Sequence, residues 1–385
     1  MTAFARTDHS IFGKWWWTVD RWTLAVVAVL MGLGIVLVQA ASPAVAERIG
    51  LDNFHFVQRH ILMLVPACML MVGVSLLSPR GIRRTAVIAF IFFTILLALT
   101  MVIGFEIKGA RRWIHVPGLS IQPSEFVKPA FAVVAAWLFA HGKTSDRFPG
   151  AIISIMLYLM IVGLLMMQPD LGMTFVVSVV WFCQFFLAGL PIVLVAILGV
   201  LGITGLVGAY MLFPHVSSRI DRFLDPAAGD NYQVTRSLEA FQNGGAFGTG
   251  PGQGSIKMML PDAHADFIFA VAGEELGLFW CLVLITLFAF IVIRGFLRVM
   301  RDDNLFVVLA VTGLLTQFGL QAWINMASSL HMMPTKGMTL PFISYGGSSM
   351  MAMGLTMGFA LALTRRRPGA YELGSNVNPR RRLLP

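Results

Sequence analysis

Apolar residues along this chain fall into long runs separated by short polar stretches, and the length of those runs sets the first reading. A helix needs about 20 mostly apolar residues to cross the hydrocarbon core of a bilayer. Ten segments approach or reach that length. They are Trp22 to Ala41, Phe56 to Leu77, Arg83 to Ile103, Ser124 to Ala140, Ala151 to Met167, Leu171 to Leu187, Leu190 to Phe213, Phe267 to Ile293, Leu305 to Ala327 and Ile343 to Thr364. The sixth and seventh are parted only by Gly189-Leu190-Pro191. The pattern predicts an all-α polytopic membrane protein, a bundle of about ten transmembrane helices. It divides the chain into a tail over 1–21, a membrane domain over 22–364 and a basic tail over 365–385. The longest polar stretch, 214–265, forms a large extracytoplasmic loop between spans seven and eight.

Composition agrees with that picture. Of 385 residues, 57% are hydrophobic and 12% charged, against roughly 25% charged in soluble domains. Cys68, Cys183 and Cys281 all sit inside apolar runs and read as packing residues. Ala44-Val45-Ala46 resembles a processing site, but the run before it exceeds the ~7–15 residues of a secretory signal core. It is read as the first span.

Charge then sets an orientation. Most of the 28 basic residues fall in segments that share one side with both termini, and the positive-inside rule makes that side the cytoplasm. Two clusters break the rule, Lys108 to Lys128 and Arg219 to Lys257. Cations gathered on the disfavoured face, beside hydrocarbon, suggest an anionic ligand there. Nothing points to nucleic acid.

The polar residues at that face supply the candidate chemistry. Glu125 and Lys128 open the fourth span three residues apart and can pair on one helix face, either as a structural lock or as part of a site. The preceding Lys108 to Ile114, with Arg111, Arg112 and Trp113, reads as a basic, aromatic-tipped loop suited to a phosphate or sugar. Asp170 in Gln168-Pro169-Asp170-Leu171-Gly172 suits a helix cap. The glycine-rich stretch Gly244 to Gly254 lacks the Lys-Ser/Thr of a Walker loop and reads as a loop. Asp266 lies where the long loop enters the eighth span. Partial desolvation there would raise its basicity, as a general base requires, and a helix N-cap is the alternative. Glu274 and Glu275, deeper in that span, must pair inward. Asp262, His264 and Asp266 alternate as metal ligands might be spaced, a weak pattern. Lys336 and the Gly346-Gly347-Ser348-Ser349 start of the last span complete the outer face, with Gly354 and Gly358 as a small-residue packing face.

Taken in order, these motifs resemble the SEDS family (shape, elongation, division and sporulation). The markers are Gly109 to Ile114, Gln122 to Lys128, Gln168 to Gly172, Tyr232-Gln233, the glycine stretch, Ala263 to Ala270 with Glu274 to Gly277, and Leu340 to Ser349. Tyr232 to Gly245 and Leu260 to His264 resemble the cell-division branch more than the elongation branch. One departure is Ala265, where the family usually has threonine. The resemblance implies a peptidoglycan glycosyltransferase that polymerises lipid II at the outer face of the bacterial inner membrane. It would act during septal cell-wall synthesis and release undecaprenyl diphosphate. It implies Asp266 as catalytic base. Arg111, Arg112, Trp113, Glu125, Lys128, Arg222, His264, Lys336 and Ser348 are expected to bind substrate, with Arg111, Arg222, Lys128 and Lys336 the cations for the leaving diphosphate. No metal ligand is assigned, although a divalent cation such as Mg2+ could share that role. The implied partners are lipid II, a class B penicillin-binding transpeptidase, other division proteins and membrane lipids. The rival reading is a lipid II flippase; a pure scaffold leaves the outer cations and Asp266 without a purpose.

Overall fold

The computed structural model describes residues 10–365 apart from 108–109, 117–118, 146, 190–191, 213–216, 219–220, 222, 224–231 and 335–336. Each of the ten apolar runs is a helix. In chain order the helices are α1 (Ile11–Thr18), α2 (Arg21–Ala46), α3 (His55–Ser75), α4 (Pro79–Ile103), α5 (Pro123–Thr144), α6 (Gly150–Met167), α7 (Leu171–Leu187) and α8 (Ile192–Leu212). They continue with α9 (Tyr232–Gly244), α10 (Ile268–Val299), α11 (Leu305–Ser329) and α12 (Gly347–Leu363). Among the described residues, six (α2, α3, α4, α6, α10 and α11) are long and apolar enough to cross a membrane by themselves, and α7 and α12 are shorter apolar helices. The chain is a polytopic helical membrane protein.

The helix ends follow local chemistry. Ser78 caps α4 by accepting from the Gly81 N–H, with Pro79 in the first turn, where its missing donor is harmless. Asp170 caps α7 through the Met173 N–H at 3.2 Å. At the other end of the bundle Asp20 caps α2 and takes Arg294 at 2.7 Å and Arg298 at 2.9 Å. Burial pushes the Asp20 carboxyl up, but hydrogen bonds from Arg294 and Thr23 and the charges of Arg298 and Arg294 outweigh it and hold the group below its usual range.

The centre of the bundle is α5, whose residues from Pro123 to Ala136 are all buried. It packs against α4, α11 and α12. The small-residue face on α12 works as expected: a Cβ on Gly354 would sit 2.6 Å from the Ala67 carbonyl, so α3 and α12 approach to backbone contact there. The outer helices α3, α4 and α6 instead expose large apolar side chains, including Met69, Ile88, Ile95 and Met156, as lipid-facing helices should.

Three parts of the site end differ from expectation. Residues 105–121 are not a loop but a three-stranded antiparallel sheet, β1 (Phe105–Ile107), β2 (Ala110–Val116) and β3 (Leu119–Ile121). Trp113 pairs Phe105 and Ile114 pairs Ile121. Backbone at a membrane boundary needs internal hydrogen bonds, and the cations within β2 hid its period-two pattern. The long polar stretch holds α9, which packs against α10. The last span begins at Gly347 rather than Ile343, because Phe342 stands at φ 63° in a turn that the Ser344 hydroxyl holds by accepting from the Leu340 N–H.

Candidate active site

At one end of the bundle, β2 and β3, the starts of α5 and α7, the turn before α10 and the segment before α12 enclose a cavity of about 660 Å3. Asp266 lines it, half-buried. Its turn is built from inside: the Asp266 and Ala265 N–H groups both donate to the Asp262 carbonyl at 3.0 Å, with Asp262 itself at φ 51°. Three outside groups fix the turn to the rest of the site. Asn325 donates to the carbonyls of Asp266 at 2.9 Å and Met338 at 2.7 Å. The Ser344 hydroxyl donates to the Ala265 carbonyl at 2.6 Å, and the Tyr345 N–H to the His264 carbonyl at 2.9 Å. The segment before α12 runs so near that a Cβ on Gly337 would lie 3.0 Å from Asp266 Oδ2. The cap position of α10 is Phe267, with no side-chain capping bond, so the cap reading of Asp266 does not hold. Its carboxylate faces the cavity from a backbone that cannot easily shift.

Glu125 also lines the cavity. It pairs with Lys128 at 2.8 Å, both almost fully buried, and Lys128 donates to Gln321 Oε1 at 2.9 Å. Gln321 passes the network to the Thr339 carbonyl at 3.2 Å and the Ser349 hydroxyl at 3.3 Å. The pair therefore braces α5 against α11 and the segment before α12, while its carboxylate borders the cavity.

The other expected binding residues separate. Arg112 and Trp113 line the cavity. Arg112 is held by the carbonyls of Gln168 at 3.1 Å and Pro169 at 2.5 Å, with Asp170 at 3.7 Å. Arg111 points the other way along β2, pairs with Glu106 at 3.5 Å and borders a separate cavity of about 250 Å3. His264 lines the cavity, its ring between Phe56 (4.2 Å between centroids) and Tyr345 (5.2 Å). Burial lowers His264 to about 4 against the pull of Asp262, so near neutral pH it packs as a neutral ring. Ser348 accepts from the Gln122 N–H at 3.1 Å and donates to the Ser120 carbonyl at 2.8 Å, clasping α12 to the start of α5. Arg222 and Lys336 lie outside the described residues.

The basic lining expected here is not what the described residues build. They place Arg112 beside Glu125, Asp170, Asp262 and Asp266. Lys257, counted with the outer cations, is buried in an ion pair with Glu275. Asp262, His264 and Asp266 are not gathered as ligands: among the described residues no group of three or more His, Cys, Asp or Glu could hold a metal ion. The described residues do not fit a protein-held divalent cation.

Behind the site, Glu274 and Glu275 pair inward as expected. Glu274 accepts from the N–H groups of Ile256 at 2.7 Å and Lys257 at 2.8 Å and from Asn243 at 2.9 Å. The glycine-rich stretch is thus folded over a carboxylate. Its chain also bonds the carbonyls of Glu274 and Glu275 through Thr249 and Gly250. Gly277, at φ 81°, lets α10 break so that Leu278 and Phe279 donate to Gly245 and Ala246. Sequence reasoning missed Gln321 and Asn325. The signal was present: Gln317, Gln321 and Asn325 recur every four residues on an otherwise apolar span, and polar groups within membrane helices are rarely idle.

Comparison with known proteins places this architecture. The family model described as "Cell cycle protein", covering FtsW, RodA and SpoVE, matches residues 21–368. The chain is 48% identical to the probable peptidoglycan glycosyltransferase FtsW of Caulobacter vibrioides, over 96% of this chain and 95% of that one. It is 34% identical to the protein of the same name in Coxiella burnetii, over 92% and 97%. Among solved structures it resembles a chain of a peptidoglycan synthase complex that coordinates polymerization and crosslinking, at TM-score 0.75 and 28% identity, over 90% of this chain and 97% of that one. It also resembles the rod shape determining protein RodA of Thermus thermophilus, at TM-score 0.66 and 27% identity, over 91% and 97%. With the family model covering the whole of the membrane domain, this chain belongs to the FtsW/RodA/SpoVE cell-cycle family.

Proposed function

We propose that this chain is a peptidoglycan glycosyltransferase of cell division, polymerising lipid II at the outer face of the bacterial inner membrane. The observation that carries the reading is Asp266, a carboxylate lining a large cavity at the membrane boundary on an immobilised turn. The relatives named as glycosyltransferases support the reaction class. In this mechanism the Asp266 carboxylate takes the proton from the 4-hydroxyl of the acceptor sugar. That oxygen forms a bond to the anomeric carbon of the donor, whose bond to undecaprenyl diphosphate breaks with the electron pair leaving on the diphosphate. Trp113 offers a face for a sugar ring, and Arg112 a charge near the leaving group. Preorganised charge is usually the largest catalytic contribution, and Arg222 and Lys336 are the further cations the sequence offers. Both termini and the Asp20–Arg294–Arg298 cluster would lie at the cytoplasmic face. A class B penicillin-binding transpeptidase is the partner, in keeping with the solved synthase complex, and the septum is the place of action.

A flippase would need a polar path through the bundle. Below Lys128, α5 instead presents Phe131, Val133, Val134, Leu138 and Phe139, all buried, which favours the enzyme. The test is polymerisation of purified lipid II by the protein with its transpeptidase partner, wild type against Asp266→Asn. Glycan strands from wild type and none from a folded, partner-bound variant support the reading. A wild type that moves lipid II between leaflets yet never polymerises it would give the flippase the stronger case.

A further inference from the structure

A further cavity, about 260 Å3, lies at the opposite end of the bundle, where α4 begins, α5 ends and α11 begins. Arg80, Arg83, Trp137, His141, Thr144 and Asn304 line it. The Arg83 guanidinium sits 5.3 Å from the centroid of the Trp137 ring. His141 stacks on the same indole, centroids 6.3 Å apart and planes within 18°. A guanidinium laid on an aromatic face keeps its in-plane N–H groups free for an anion, and its planar fork matches phosphate geometry. None of the described side chains that line this cavity is acidic. Among the described residues neither Arg80 nor Arg83 enters an ion pair.

The surroundings identify the kind of anion. From Arg80 and Arg84 the outer face of α4 continues through Ile88, Ile91 and Ile95, exposed by 68%, 54% and 61% at the spacing of one helix face. Cations at the end of a lipid-exposed apolar stripe match a molecule with a phosphate at one end and acyl chains below it. Basic pockets between helix ends bind anionic headgroups in this way. We propose that this cavity binds the phosphate of an anionic phospholipid in the leaflet opposite the Asp266 cavity, its chains lying along Ile88, Ile91 and Ile95. The site is separate from the glycosyl-transfer chemistry and does not depend on it.

The full chain in detergent is titrated with phosphatidylglycerol, phosphatidylcholine and inorganic phosphate, and bound species are read by native mass spectrometry. Wild type retains one phosphatidylglycerol, discriminates against phosphatidylcholine and is not competed by millimolar inorganic phosphate. Arg80→Gln with Arg83→Gln weakens phosphatidylglycerol binding by about tenfold or more. Lys14→Gln with Arg301→Gln, which removes two exposed cations at the same end, leaves it unchanged. Thermal melting checks that each variant folds. Should the double variant not fold, Arg83→Lys serves: it keeps the charge, loses the planar fork and weakens binding several-fold. Equal binding by wild type and the Arg80/Arg83 variant overturns the site. Equal loss in the control pair reduces it to diffuse surface charge, and competition by inorganic phosphate assigns it to a soluble anion.

Discussion

Asp266 and the pair Glu274–Glu275 lie within ten residues of one another, at the entry to the same helix, and meet opposite fates. Glu274 and Glu275 are sealed: 0% and 2% exposed, one saturated by backbone and asparagine donors, the other by Lys257. A buried charge persists only when paired and hydrogen-bonded, and here residues flanking the glycine-rich stretch, Asn243, Ile256 and Lys257, supply the donors. Asp266 has its backbone fixed by Asn325 and the Asp262 turn while its carboxylate borders a cavity. The difference teaches how carboxylates on one segment divide labour. Burying and saturating a carboxylate makes it a structural tie, whereas a half-buried carboxylate on a fixed turn at a cavity wall stays within reach of a substrate.

The sharpest way to break this contrast is Asp266→Asn. We expect lipid II polymerisation to fall by about 10²–10⁴, the range of a general base, with thermal stability unchanged; a large drop in melting temperature would make Asp266 a structural tie too. Lys257→Ala should do the reverse. It strands a buried Glu275 and should destabilise by about 3–5 kcal/mol, read as a fall in melting temperature and in yield of folded protein. Lys257→Met combined with Glu275→Leu should recover much of that loss, because apolar replacement removes both charges at once. Gly277→Ala comes next. Its left-handed backbone and the contact a Cβ would make with Gly248 should unseat the glycine stretch and lower stability without touching the carboxylate of Asp266.

A smaller effect sharpens the other side. Gly337→Ala would press against Asp266 Oδ2, so polymerisation should fall by about tenfold, as mispositioning by fractions of an ångström does, while melting stays near wild type. The smallest concerns pH. His264 is held at about 4 by burial against about 6.5 unfolded. As pH falls from 6.5 toward 4 the unfolded chain takes up a proton that the folded chain refuses. The contribution of His264 is therefore neutral above pH 6.5 and becomes destabilising below it, by up to about 1.4 kcal/mol per pH unit. Melting temperatures across that window should decline less steeply in His264→Phe than in wild type.

Much of this molecule was legible in its sequence. Ten helices follow from apolar run length, because a bilayer demands about 20 apolar residues whatever the neighbours. The glutamates' inward pairing follows from the cost of an unpaired charge in hydrocarbon, and the position of Asp266 at a boundary follows from the end of a polar stretch. Run length says nothing about what meets across space. The sheet over 105–121 depends on hydrogen bonds between strands. The donors for Glu274 come from residues 17 to 31 positions away, and those for the Asp266 turn from α11 and the segment before α12. The Glu125–Lys128 pair was legible in the three-residue spacing, but that Lys257 is neutralised by Glu275, and so adds no free charge to a cavity, was decided by packing alone. Charge counted along a chain is additive, whereas charge available to a ligand is what remains after the fold has paired it.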